Sequence, residues 1–185
     1  MQYRSTAPAR FGFFVFGFLA AIVTVVILAF AYLRYGNPPV ATADPSFPME
    51  AQIVHVPLEA RIKRQMQTPP FQPDEQTFES GAHLYVNQCA SCHGTPGHDV
   101  AFAKWMYPDA PQLWRSHGNG VVGVSDDEAG ETYWKIDNGI RLTGMPAYQK
   151  LLSTQQMWQI ALLMKNADKP LSPQVRAILE TASTK

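Results

Sequence analysis

The residues with the sharpest chemistry in this 185-residue chain are Cys89-Ala90-Ser91-Cys92-His93. A CxxCH run spaces two thiols so that they add across the two vinyl groups of one haem, with an imidazole beside them to reach the iron. Cys89 and Cys92 are the only cysteines, so none remains for a disulfide or a second metal. A CxxC pair also serves dithiol redox proteins and forms half of some zinc sites. The redox use asks for a βαβ setting that is absent here, and the zinc use for two further ligands at suitable spacing. Haem attachment is the strongest reading of the motif.

Elements with helical character must position it. Gln76–Gln88 repeats Phe78, Ala82, Tyr85 and Val86 at three and four residues, which predicts a helix running straight into Cys89. Asp74 and Thr77 are candidate caps. Gly81 in mid-helix costs about 1 kcal/mol against Ala, so close packing is expected there. Beyond His93 the turn-rich Gly94-Thr95-Pro96-Gly97 lets the chain swing round a flat group. Trp105, Tyr107 and Trp114 follow in a stretch of weak periodicity that Pro108 and Pro111 break, and Gly118–Gly123 reads as loop. Asp126, Asp127 and Glu128 suit the positive end of a helix ending near Asn138, with Gly139 as its stop. Ile140–Tyr148 reads as a loop holding Met145 between Gly144 and Pro146. Ser153 is placed to cap a last long helix from Thr154 to Asn166, and Pro173–Thr181 adds a short one.

Upstream, Phe11–Leu33 is an uncharged apolar run; as a helix it spans about 34 Å, enough for a hydrocarbon core of about 30 Å. Arg4 and Arg10 before it, against Arg34 after it, favour an N-terminus inside and the remainder outside. A cleaved signal peptide is the alternative. The run exceeds the usual apolar region of about 7–15 residues, and its small-x-small sites, Ala29-Phe30-Ala31 and Ala41-Thr42-Ala43, are poorly placed, so an uncleaved signal anchor is expected. Between Gly36 and Pro73 stand eight prolines, which argue for a tether without a long helix. Glu59–Gln67 has room for two turns exposing Arg61, Lys63 and Arg64, as a solvated face or a contact with lipid headgroups. The apolar patch Ile53–Val56 fits a free tether poorly and reads as a strap onto a partner or onto the domain. The expected organisation is a cytoplasmic N-terminus (1–10), a transmembrane signal anchor (11–33), a tether (34–73), a haem domain (74–167) and a tail with a short helix (168–185).

Formal net charge is zero, which leaves no electrostatic footprint for nucleic acid. Residues 1–73 hold six Lys/Arg against three Asp/Glu, and residues 74–185 nine against twelve, a mild acidity that selects no partner class.

The CxxCH, a Pro111-Gln112-Leu113 triplet, the loop Asn138-Gly139-Ile140-Arg141-Leu142-Thr143-Gly144-Met145-Pro146-Ala147-Tyr148 and a closing helix bearing Trp158, in that order, resemble a class I cytochrome c over about residues 75–167. The resemblance is to the monohaem, membrane-anchored kind. It implies an all-α domain around one covalent haem c, with Cys89 and Cys92 as thioether positions, His93 as proximal iron ligand and Met145 as distal ligand. It further implies that the Pro111 carbonyl accepts from the proximal imidazole, and that Gly81 and Tyr85 lie where the first helix crosses the closing one. Met157 and Met164 read as core, and Met106 stands too soon after His93 to be expected on the opposite face. His55, His83, His98 and His117 read as surface or hydrogen-bonded residues, Trp105, Trp114 and Trp134 as pocket and core packing, and Arg141 as a solvated charge or a propionate partner. The implied function is one-electron transfer by a protein held at the bacterial inner membrane with its haem domain on the periplasmic side. It would pass electrons between a quinol-oxidising complex and a terminal acceptor, or act as a fixed subunit of a larger membrane complex. A haem enzyme or sensor would instead need an open sixth position.

Overall fold

The computed structural model describes residues 7–181, and the chain divides into two units, Met1–Phe47 and Pro48–Lys185. The expected segment 1–10 lies mostly outside the described residues.

The first unit is built on helix α1 (Ala7–Tyr35). Its stretch Phe11–Tyr35 is the one helix among the described residues long and apolar enough to cross a membrane. Its large apolar side chains point outward, as at Phe14 and Leu28. Such a surface suits hydrocarbon, where every backbone group must be satisfied within the helix.

The second unit corrects the expected tether. Glu50–Gln65 is a helix, α2, with Pro57 in its interior. A proline there removes one rung and crowds the carbonyl four residues back, at a cost of about 3 kcal/mol. Packing offsets that cost. Ile62 is buried, Gln65 Oε1 accepts from Trp134 Nε1 at 3.1 Å, and the Arg61 guanidinium lies 5.7 Å from the Trp134 ring centre. Arg61, Lys63 and Arg64 are exposed, as expected.

Helix α3 (Glu75–Gln88) starts at Asp74, whose carboxylate accepts from the Thr77 amide at 2.8 Å and the Thr77 hydroxyl at 2.6 Å. It continues into α4, the single turn Ala90–His93. A short antiparallel pair follows, β1 (Ser116–His117) against β2 (Val121–Val122), the second of them inside the stretch Gly118–Gly123 expected to be loop. The Gly118-Asn119-Gly120 turn joins the strands, with Asn119 at φ 56 and Gly120 at φ 78. Helix α5 (Ala129–Asn138) ends at Gly139, φ 65. Helix α6 (Thr154–Lys165) begins with a full capping box: Ser153 Oγ accepts from the Gln156 amide, and Gln156 Oε1 accepts from the Ser153 amide. Helix α7 (Pro173–Glu180) closes the fold.

The core lies where α3 and α5 pack on α6 and where α7 packs on α3. Gly81 makes the principal crossing possible, because a Cβ there would sit 2.5 Å from the Gln159 carbonyl oxygen on α6. Tyr133 stacks on Trp158 with centroids 4.2 Å apart, which locks α5 to α6. Val175 and Leu179 of α7 are fully buried, so the C-terminal helix is part of the core rather than an appended tail. The all-α expectation holds apart from the small strand pair.

Candidate haem site

Helix α3 delivers the CxxCH turn directly. The Cys89 carbonyl accepts from the amides of Cys92, at 3.1 Å, and His93, at 3.0 Å, so both cysteines and the imidazole share one turn. The buried Tyr85 hydroxyl donates to the Gly94 carbonyl at 2.8 Å and pins the exit of that turn to α3. Gly94, φ 73, could not be replaced without collision, since a Cβ would lie 2.6 Å from the His98 carbonyl.

Gln112 then folds the next segment back. Its Nε2 donates to the carbonyls of Cys92, at 3.1 Å, and Ala110, at 3.0 Å, while its Oε1 accepts from the Val100 amide at 2.7 Å. The Leu113 amide donates to the His93 carbonyl at 3.0 Å. Held in this way, the Pro111 carbonyl accepts from His93 Nδ1 at 2.8 Å. A carbonyl accepts only, so Nδ1 carries the proton and Nε2 keeps its lone pair for a metal. Burial lowers the His93 pKa, outweighing the opposite effect of the Pro111 carbonyl, and a neutral imidazole is the form that ligates iron.

The loop after α5 presents Met145. The Thr143 hydroxyl donates to the Ile140 carbonyl at 2.7 Å and accepts from the Met145 amide at 3.1 Å. A Cβ at Gly139 would stand 2.7 Å from the Ala147 amide nitrogen, so only glycine lets the loop return this closely. Leu142, although not glycine, adopts φ 64 with its side chain 87% exposed. A left-handed residue of this kind costs about 1–2 kcal/mol, which the surrounding loop contacts must sustain.

Cys89, Cys92, His93 and Met145 all line one largely apolar cavity of about 310 Å³. Ile136 of α5 and Ile160 and Met164 of α6 supply much of its wall. Burial, with the neighbouring Cys92, pushes the Cys89 thiol up to about 12, unlike the low-pKa thiolate of a dithiol redox enzyme. Among the described residues no three His, Cys, Asp or Glu side chains gather as a metal cage of the kind the zinc alternative asks for. An apolar slot with a thiol pair, a neutral imidazole and a thioether fits a covalently held haem.

Residues 76–164 match the family described as cytochrome C oxidase, cbb3-type, subunit III. This is a monohaem c-type cytochrome domain. No curated protein and no solved structure matches the chain. The cytochrome carries covalent haem c and is an electron carrier, preceded by an apolar helix of membrane-spanning length.

Met106, Trp105 and His55 of the cytochrome depart from expectation, whereas Trp114, Trp134, His98, His117 and Arg141 follow it. Met106 lines the same cavity as Met145, and its Cε would lie 2.8 Å from a Cβ at Gly144. Sequence separation misled here because the Ala110 amide donates to the Ala103 carbonyl at 3.3 Å, folding the segment back. Trp105 is 73% exposed rather than packed. Trp114 meets Tyr85 edge-on at 5.7 Å, and Trp134 is buried against α2. His98 Nδ1 and His117 Nε2 bond locally, to the carbonyls of Pro96 and Gly123. Arg141 is exposed. His55, expected at the surface, lines the cavity although its side chain remains accessible. Gln112 was missed altogether; its position between Pro111 and Leu113 was the only available signal.

Proposed function

We propose that Cys89 and Cys92 would form the thioether links, that His93 Nε2 and the Met145 sulfur would ligate the iron, and that Pro111 orients the imidazole. The convergence of these four side chains on one apolar cavity supports this reading most directly. Bound in this way, the haem supplies a one-electron valence change, and methionine ligation raises its potential. The chain's own residues exclude water, hold the His93 proton on Nδ1 and fix the sulfur in its loop, so little must rearrange when the charge changes. No position is left open for a substrate, which favours a carrier over an enzyme or a sensor.

The physiological reading is transfer from a quinol-oxidising complex to a terminal acceptor. Residues 11–33 anchor the protein in a bacterial inner membrane, and the haem domain lies on the periplasmic side. Anchoring raises the carrier's concentration near membrane partners. A second reading, a fixed subunit of a larger oxidoreductase, is favoured by the description of the matching family. Purification in mild detergent separates the two: a carrier elutes alone, whereas a subunit brings stoichiometric partners.

The ligand assignment is tested by the weak long-wavelength absorption band of ferric iron bound to a thioether. Met145→Ala should abolish it and Met106→Ala should leave it. The opposite pattern would make Met106 the ligand, and a band that survives both changes would refute thioether ligation by either.

A further inference from the structure

Helix α2 has two distinct faces. At 100° per residue, His55, Leu58, Glu59, Ile62 and Gln65 fall within an arc of about 120°. That arc meets the rest of the domain. Ile62 is buried, Gln65 bonds Trp134, and Glu59, Ile62 and Lys63 border a recess beside Glu128, which precedes α5, and Glu131 of α5. His55 and Leu58 reach farther, into the lining of the cavity that holds Cys89, His93 and Met145. The other side of the helix carries Ile53, Val54, Val56 and Arg64, which are exposed and line neither the recess nor the cavity. The His55 side chain makes no hydrogen bond to another described residue. Pro57 removes the rung that would reach back to Ile53, in the turn that bears His55.

We infer that α2 is a wall of the haem pocket: His55 and Leu58 face the haem, and the seating of α2 on α5 sets how much water reaches the cofactor and therefore its reduction potential. The inference rests on the proposal that Cys89, His93 and Met145 hold haem in this cavity. Water stabilises the more highly charged oxidised iron, so a closed apolar wall favours the reduced state. The oligopeptide that follows the membrane helix would thus tune the site instead of merely connecting it.

Spectroelectrochemical titration of the full-length, detergent-solubilised holoprotein tests this. Leu58→Gln and His55→Ala should each weaken reduction; for Leu58→Gln the shift should approach tenfold, about 59 mV for one electron. Val56→Gln and Arg64→Gln, on the outer arc, should leave the potential unchanged. Gly130→Ala provides an independent arm outside the cavity, because its Cβ would lie 2.1 Å from the Gln67 carbonyl and must lift the segment following α2. It should lower the potential too, and it decides the matter if the Leu58 variant yields no holoprotein. Unchanged potentials in the inner variants and Gly130→Ala, or equal shifts in the outer ones, would overturn the inference. Failure of the ligand assignment has a separate signature, since it would appear in the thioether band of the Met145 variant.

Discussion

Replacing Gly81 with Ala pits helix propensity against packing at the crossing that shapes the haem cavity. In an exposed helix the exchange would stabilise by about 1 kcal/mol. Here the new Cβ would stand 2.5 Å from the Gln159 carbonyl oxygen, 3.0 Å from its carbon and 3.3 Å from Leu163 Cβ. Non-bonded heavy atoms rest about 3.5–4.0 Å apart, so α6 must retreat by on the order of 1 Å. The obstacle is backbone, which cannot rotate aside, and overpacking then reaches the upper end of about 1–3 kcal/mol. Subtracting the propensity gain leaves a net loss of about 2 kcal/mol. For a domain of this size that corresponds to a melting point lower by about 4–8 °C. Thermal unfolding of the holoprotein by circular dichroism measures it. The thioether band should weaken in parallel, because α6 carries Ile160 and Met164 on the cavity wall. A variant as stable as the parent, or more stable, would refute the argument. Gly97→Ala is the useful contrast: nothing lies within 4 Å of its Cβ, yet φ is +76, so only a conformational penalty of about 1–2 kcal/mol is expected.

Two further outcomes follow from the caps. Ser153→Ala, which breaks the capping box of α6, should cost about 1 kcal/mol in chemical denaturation; no loss would show that the box is idle. The Asp74 carboxyl is held below its ordinary 3.8, chiefly by the Thr77 hydroxyl and then by its amide. Its stabilising contribution is therefore complete above pH 3.8 and disappears as the pH falls through the lowered folded value. Asp74→Asn should flatten the acid side of a melting-temperature profile, and an unaltered slope would exclude this role.

Local chemistry made much of the fold legible in advance. Asp74, Gly139 and Ser153 mark helix ends because a cap satisfies backbone groups within a few residues, and all three do so here. Gly81 announced close packing because a mid-helix glycine needs a reason. Cys89, Cys92 and His93 were readable because their chemistry depends on spacing alone. What escaped depends on contacts between distant residues. Prolines argued against α2, but Ile62 and Gln65 find partners on α5 that local propensity cannot reveal. Met106 and Gln112 owe their positions to a fold-back between Cys92 and Leu113, a stretch with no clear period.

The meeting of α3 with α6 also bears on the order in which the domain can assemble. Gly81 and Gln159 touch across roughly eighty residues of chain, and closing a loop that long costs about 4 kcal/mol beyond a constant. That closure waits until α6 has been made. The CxxCH turn needs no such delay, since Cys89 through His93 are shaped by hydrogen bonds within a few residues. The two thiols can therefore take up their local turn while the chain is still open, with the C-terminal helices closing over the cofactor afterwards.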